Sequence, residues 1–398
     1  MRALTWQGVE DIRVETVPDP VIEQPTDAIV RVTSTAICGS DLHLYKVLGA
    51  YLHEGDILGH EFMGIVEEVG PEAAGHLRVG DRVVVPFNIS CGHCWMCERG
   101  LFAQCETTQN TEHGKGASLF GYTDMYGAVP GGQAEFVRVP QAQFGPVKIP
   151  DHGADERYLY LSDILPTAWQ GVQWAQVPPD GTLAVMGLGP VGQLAVRSAR
   201  HLGLRVIGVD LVPERLALAQ VWGAEVLDLR DGLKNPEDVG DAIRDLTDGR
   251  GADGTLDAVG MEAHGNPVSE RVINAIGRLP GVLSRPMIEN MGIDRLAALH
   301  ASIDAARRGG TVSVSGVYGG MINPMPLMDM FDKGLTLRLG QCHVKQWTEE
   351  LFDLVSQEED ILGLEALATH RVSLEEAPQM YDVFQQKEDG CLKVILRP

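Results

Sequence analysis

The sequence predicts an α/β protein in which a doubly wound parallel sheet is inserted into a mostly-β domain built from both ends of the chain. Three observations carry this. Residues 1 to about 150 read as short strands broken by Gly and Pro; from about residue 165 apolar strands alternate with helical patterns; after about residue 341 the texture is mixed and ends in the strand-like "CLKVILRP". The expected domains are therefore 1–164 with 341–398, and 165–340 between them. At 398 residues the chain is long enough for both cores.

In the first part, "AIVRVTSTAICG", "GIVEEVG", "DRVVVPF" and "GQAEFVRVP" are the clearest strand runs, and so many short strands suggest barrel-like closure. Between them stands "CGHCWMCERGLFAQC", residues 91–105, with four of the seven cysteines. The spacing C-x2-C-x2-C-x7-C converges Cys91, Cys94 and Cys97 and returns Cys105 after one excursion. That is a closed tetrahedral site with no position for water, which favours a structural zinc in a lobe of about residues 88–110. An iron–sulfur cluster would use the same ligands, but the spacing fits neither common ferredoxin pattern. Disulfide staples belong mostly to short secreted chains.

Past residue 165, "TLAVMGLGPVGQLAVRSARHLGLRVIGVDLVPERLALAQVWGAEVLDL" runs strand, helix, strand, helix, strand, continued by "DGTLDAVG", "GTVSVSGVYG" and "LTLRLGQ". Gly187-Leu-Gly189-Pro190-Val191-Gly192 follows the first strand directly and opens the first helix, the context that a bare G-x-G-x-x-G needs. Gly187 permits the tight turn, Gly189 lets a pyrophosphate reach the backbone, and Gly192 lets helix and strand pack. Free N–H groups at the helix start then face phosphate. Asp210 ends the next strand, 18 residues after Gly192. A carboxylate there accepts ribose hydroxyls and repels the extra phosphate of NADP, so NAD is the expected cofactor. Residues 261–309 exceed the usual link between two strands. Three prolines mark the first half as an insertion, and "LAALHASIDAARRG" reads as a helix.

A second metal site has its candidates in the first domain. Cys38 stands at a strand end in "ICGSDLH", and His60 precedes a strand in "LGHEFMG". Alone, the cysteine would be a small buried apolar residue and the histidine a hydrogen-bonded, half-buried imidazole. Their neighbours change that reading. Ser40 and His43 lie within five residues of Cys38, and Glu61 adjoins His60. A catalytic zinc takes three protein ligands and keeps one position open. The residues leave the third ligand unnamed, with Asp163 of "YLSDILPT" as the candidate.

Composition narrows the function classes. Lys and Arg number 32 against 55 Asp and Glu, a net charge of −23, which speaks against nucleic acid or an anionic membrane as partner. No run of 18 apolar residues exists, and the charged start "MRALTWQGVEDIRVE" lacks a signal core. With metal-type cysteines, a cytoplasmic setting is expected.

In their order, "CGSDLH", "GHEFMGIVEEVG", "CGHCWMCERGLFAQC" and "GLGPVG" make the sequence resemble the medium-chain zinc-dependent alcohol dehydrogenases over essentially its whole length. Within that superfamily "LSDILPTAWQGV", "VPFNISCGHC" and "GYTDMYGAVPGGQAEFVRVP" look most like the branch of glutathione-independent formaldehyde dehydrogenase and its aldehyde-dismutating relatives. The main reason is Asp163, where most relatives carry a cysteine. The resemblance implies a Rossmann domain inserted into a GroES-like catalytic domain, two zinc ions per chain, and a homodimer or homotetramer. It implies catalytic zinc on Cys38, His60 and Asp163, with Glu61 close behind. Ser40 would meet the reacting oxygen and His43 would pass its proton to solvent. Thr167 would lie against the nicotinamide, Phe87 would line the substrate pocket, and Asp210 and Arg215 would hold the adenosine ribose. Gly39 replaces a basic residue that some relatives place on the pyrophosphate. The insertion would be a loop over the adenine half of NAD or a surface excursion.

The expected activity is hydride transfer between NAD and a primary alcohol or aldehyde hydrate. Were the reduced cofactor to stay bound, a second aldehyde would take the hydride back. The alternatives are a polyol or secondary-alcohol dehydrogenase, a zinc-free quinone reductase-like protein, and a noncatalytic binding protein. Zinc content separates the last two, which need one ion or none.

Overall fold

The computed structural model describes residues 1–233, 235–262, 296–318 and 324–398. It divides into two compact units, Met1–Pro166 with His343–Pro398, and Thr167–Cys342.

The first unit is organised by one long strand, Ala28–Ile37, which pairs with Glu61–Val69 along one edge. Its other edge is shared: Phe136–Val139 covers the first half, and Val394–Leu396 the last three positions. The full path runs His370–Ser373, Val394–Arg397, Ala28–Ile37, Glu61–Val69, Arg82–Val85 and Val147–Lys148. Alternating apolar residues send Val30, Val32, Phe62, Val66, Val83 and Val137 into one core, where Phe62 meets Phe120 edge to face. Among the described residues the strand pairings of this sheet form an open path. The end strands have only four and two residues, and such short ends leave little unpaired edge.

Asp155 fastens this sheet from one side. Its carboxylate accepts from the Thr33 and Ser34 hydroxyls at 2.8 and 2.7 Å and pairs with Arg82. Burial opposes its charge, yet the hydrogen bonds from Ser34, Arg82 and Thr33 hold its pKa below the usual carboxylate value. A pKa lowered by folding gives stability that is present above about pH 4 and lost as pH falls through the folded value. Asp155→Asn should therefore flatten the acid limb of melting temperature against pH. An acid limb identical to that of the wild type would remove Asp155 from this account.

The second unit carries six parallel strands in the spatial order Glu225–Asp228, Arg205–Asp210, Thr182–Met186, Ala252–Asp257, Ala306–Val314, Thr336–Leu339. In chain order that is 3-2-1-4-5-6, the doubly wound arrangement. It puts the topological switch between Thr182–Met186 and Ala252–Asp257. "TLAVM" is buried along its whole length, as a central parallel strand requires. The expected helix in "LAALHASIDAARRG" is shorter than the pattern suggests: it spans Ala297–Ala305, and Ala306 already begins a strand. Gly309, at φ +67°, and Gly310 are poor helix formers, and Arg307 donates to Asp253 at 2.6 Å, tying the segment to the neighbouring strand. The prolines of the expected insertion lie in residues 263–295, outside the described residues. Among the described residues no helix is long and apolar enough to cross a membrane.

Candidate metal centres and cofactor turn

Sheet register assembles the first candidate centre. Ala36 stands opposite Glu61, so Cys38, just past one strand, and His60, just before the other, share a sheet end. Val394 stands opposite Ile37, which brings Lys393 alongside Cys38. Cys38 also caps the helix Gly39–Lys46, which carries Ser40, Asp41 and His43 in its first turns. Asp163 arrives from far along the chain, after a single 3-10 turn, Tyr160–Ser162. That turn is pinned by the Phe87 N–H, which donates to the Ser162 carbonyl at 2.9 Å.

One ligand atom from each of Cys38, His60, Glu61 and Asp163 lies within 4.8 Å of the other three, and all four residues are buried. Asp163 Oδ2 is 3.6 Å from Cys38 Sγ and 3.4 Å from His60 Nε2. Ligands at zinc distances of about 2.0–2.3 Å in a tetrahedron stand roughly 3.3–3.6 Å apart, so the residues fit the ion. Electrostatics point the same way. Burial, then the Glu61 and Asp163 carboxylates, push the Cys38 thiol up to about 11, a penalty that a divalent cation removes. Glu61 Oε1 accepts from Lys393 Nζ at 2.6 Å, while Oε2 is a buried carboxylate oxygen with no hydrogen-bond partner.

The surroundings orient the set. His60 Nδ1 faces Asp41 Oδ1 at 3.1 Å, which turns Nε2 toward Cys38 and Asp163. A carboxylate behind a histidine ligand fixes its ring and tautomer. Ser40 Oγ lies 3.1 Å from His60 Nε2, and His43 is buried one turn along the same helix. The rings of Phe87 and Tyr122 stand edge-on to the imidazole at 6.2 and 6.3 Å. The sequence reading missed Asp41, Lys393 and Tyr122. A lysine inside the apolar run "CLKVIL" was a usable signal, because a fully buried lysine demands an anion.

The second centre is local. Cys91 and Cys97 sulfurs are 4.0 Å apart, and those of Cys94 and Cys105 3.9 Å. Four thiolates at about 2.3 Å from a tetrahedral zinc would stand about 3.8 Å apart, whereas a disulfide needs about 2.05 Å. Thiolate charge is prepared for by donors. The Cys91 N–H points at Cys105 Sγ, the Glu106 N–H at Cys94 Sγ, and the Thr107 hydroxyl at Cys91 Sγ, at 3.4, 3.3 and 3.1 Å. Burial opposes ionisation of Cys94, but backbone N–H donors of Cys97 and Glu106 pull its thiol down to about 6.

In the second unit the glycine turn leaves Thr182–Met186 and enters the helix Pro190–His201. Gly187 sits at φ +85°, where a side chain would also strike Val259. A Cβ on Gly192 would collide with the Gly187 carbonyl, while Gly189 meets nothing closer than an Arg215 nitrogen at 3.8 Å. Gly189 is thus the position left open to an approaching ligand, at the start of the helix where Pro190 and Val191 follow. Asp210 is 7% exposed and accepts the N–H of Leu188 at 2.6 Å on Oδ2, and those of Leu211 and Val212 at 2.7 and 2.9 Å on Oδ1. One of these bonds ties Asp210 to the glycine turn and two close the chain just after its own strand, so about one of its roughly four lone-pair sites is left over. Thr167 lies on the helix Ile164–Trp174, at the first residue of this unit.

Two family models match the sequence: the alcohol dehydrogenase GroES-like domain over residues 24–151, and the zinc-binding dehydrogenase over residues 190–277. The chain is 39% identical to an uncharacterized zinc-type alcohol dehydrogenase-like protein of Bacillus subtilis, over 100% of both chains. It is 33% identical to the glutathione-independent formaldehyde dehydrogenase of Pseudomonas aeruginosa, over 96% of this chain and 94% of that one. An alcohol dehydrogenase from Thermus sp. ATN1 superposes with a TM-score of 0.80 at 34% identity, over 100% of this chain and 99% of that one.

Proposed function

This chain belongs to the medium-chain zinc-dependent alcohol dehydrogenase superfamily, and from that premise we propose that it transfers hydride between NAD and a primary alcohol or aldehyde hydrate, in the manner of a formaldehyde dehydrogenase. The observation that carries the reading is Asp163, whose carboxylate approaches both Cys38 Sγ and His60 Nε2. Cys38, His60 and Asp163 would hold the catalytic zinc, and Cys91, Cys94, Cys97 and Cys105 the structural one. NAD would rest on the turn from Gly187 to Gly192, with Asp210 and Arg215 at the ribose and Thr167 at the nicotinamide. Bound there, zinc supplies Lewis-acid polarisation of a substrate oxygen, and NAD supplies the hydride acceptor.

The chain's own residues do the remainder. Ser40, 3.1 Å from His60 Nε2, would accept the substrate hydroxyl proton while giving up its own, and His43 would deliver a proton to solvent. Glu61, held by Lys393, balances charge behind the ligands. Phe87 and Tyr122 crowd the imidazole with apolar edges, which keeps water away and favours a short substrate. A cytoplasmic homodimer or homotetramer without nucleic-acid or membrane partners belongs to the same proposal.

A panel of formaldehyde, longer aldehydes, primary alcohols and polyols tests it, with NAD or NADP, following reduced cofactor and carbon products together. Net NADH marks dehydrogenation; equal acid and alcohol without net NADH marks dismutation. No turnover of any member by a chain holding two zincs would sink the proposal. Asp210→Ala should weaken NAD by roughly ten- to a hundred-fold, the value of a charge-assisted contact of about 1.5–3 kcal/mol. An unchanged NAD titration would leave Asp210 as the cap of the glycine turn only.

A further inference from the structure

We propose that Tyr381, acting through Gln133, is a positioning residue for the metal centre of Cys38, His60 and Asp163; the inference rests on the metal reading above. Gln133 is fully buried between the two segments that carry ligands. Its backbone N–H donates to the Leu58 carbonyl at 3.0 Å, and its side chain lies so close over Gly59 that a Cβ there would collide with it. It therefore packs directly against the residue before His60. Its amide reaches the other segment, where Nε2 donates to the Ala36 carbonyl at 3.1 Å and to Asp41 Oδ2 at 3.3 Å.

Asp41 is the common partner of two ligands. Oδ2 also accepts the Cys38 N–H at 2.9 Å, and Oδ1 faces His60 Nδ1 at 3.1 Å. Whatever holds Asp41 holds both. Gln133 does so in one orientation only, because a flipped amide would turn its oxygen toward two acceptors, the Ala36 carbonyl and the Asp41 carboxylate. Tyr381, itself fully buried, donates its hydroxyl to Gln133 Oε1 at 2.8 Å and so satisfies the outer end of the amide in that orientation. Nor is Tyr381 loosely placed. It sits on the helix Ala377–Gln386 with its ring 5.6 Å from Tyr45, and the Tyr45 hydroxyl donates to Asp382 on the same helix at 2.7 Å. Tyr45 belongs to the helix that presents Ser40, Asp41 and His43. The C-terminal helix thus fixes a hydrogen-bonded line, Tyr381–Gln133–Asp41, that ends in a hydrogen bond from the Cys38 N–H and an ion-pair contact with His60 Nδ1. A buried line of this kind transmits position only while each member is satisfied.

The test uses full-length, zinc-loaded protein and the Tyr381→Phe variant, which removes one oxygen and keeps the ring. Outer partners of metal ligands are each worth about 10–100-fold in metal affinity, and Tyr381 lies one step further out. About ten-fold faster release of one zinc to a chelator is expected, with the four-cysteine zinc released at the wild-type rate. The absorption bands of cobalt placed at the catalytic site should shift, a change that a general loss of stability would not cause. Gln133→Met, similar in volume but without the amide, should show the same loss, and adding Tyr381→Phe to it should cost nothing more. Wild-type release rates and unchanged cobalt bands in Tyr381→Phe would overturn the proposal. So would a Tyr381→Phe effect that persists at full size in the Gln133→Met background. A wild-type chain holding only the four-cysteine metal would instead bring down the metal reading, and this inference with it.

Discussion

Asp163→Ala should retain one zinc per chain in place of two and lose at least a hundred-fold in turnover. The carboxylate stands 3.4 Å from His60 Nε2 and 3.6 Å from Cys38 Sγ, so on the proposed ligation its removal takes away a ligand and not an outer partner. Outer partners alone cost 10–100-fold, which sets that figure as a floor. Charge argues the same way. A Cys38 thiolate and an Asp163 carboxylate balance a divalent ion with neutral His60, and deleting one leaves a buried charge uncompensated. Asp163→Cys restores the charge through a softer and longer ligand, so it should keep two zincs and part of the activity, with an altered substrate preference. The competing assignment gives the third position to Glu61, whose Oε2 is buried without a partner. Two tightly held zincs and near-normal turnover in Asp163→Ala would rule out direct ligation by Asp163, leaving Glu61 or water to complete the site, and would remove the main reason for a formaldehyde dehydrogenase-like activity.

Cys97→Ser should damage folding before chemistry. Residues 91–105 contain only two short 3-10 turns, Cys97–Arg99 and Phe102–Gln104, and the apolar residues around the sulfurs are few: Ala117 and Phe102. So small a cluster cannot hold the lobe alone, and a structural zinc supplies folding free energy of roughly 10 kcal/mol or more in small domains. The variant should lose the four-cysteine zinc, melt several degrees lower and be cut by proteases within the lobe, while the buried Cys38–His60–Asp163 set keeps its own ion. An unchanged melting curve with both zincs retained would remove the structural role.

The two centres differ in how far they could be read beforehand. The four cysteines lie within fifteen residues, so chain geometry alone forces their sulfurs near one another, and spacing is sufficient. The glycine turn is legible for the same reason, since strand, turn and helix follow in one unbroken stretch. Cys38, His60 and Asp163 are spread over 126 residues. No local rule joins them: the residues offer Asp163 only as a candidate, and the resemblance to a family makes it the third ligand. The apolar spacing of "LAALHASIDAARRG" continues past Ala305 and predicts a longer helix, while the glycines and the Arg307–Asp253 pair end it there.

What the sequence determined by itself is whatever a few consecutive residues settle. That comprises the α/β class with its doubly wound sheet, the grouping of Cys91, Cys94, Cys97 and Cys105, and the turn from Gly187 to Gly192. The tertiary structure alone decided which buried charges meet. Lys393 reaches Glu61 across 332 positions because Val394 pairs with Ile37 while Ala36 pairs with Glu61. Tyr381 reaches Gln133 across 248 positions by the docking of one helix. A buried ion or amide must find its partner wherever the fold brings one within about 3 Å. Register and helix docking set that distance, and neither leaves a mark in the local sequence.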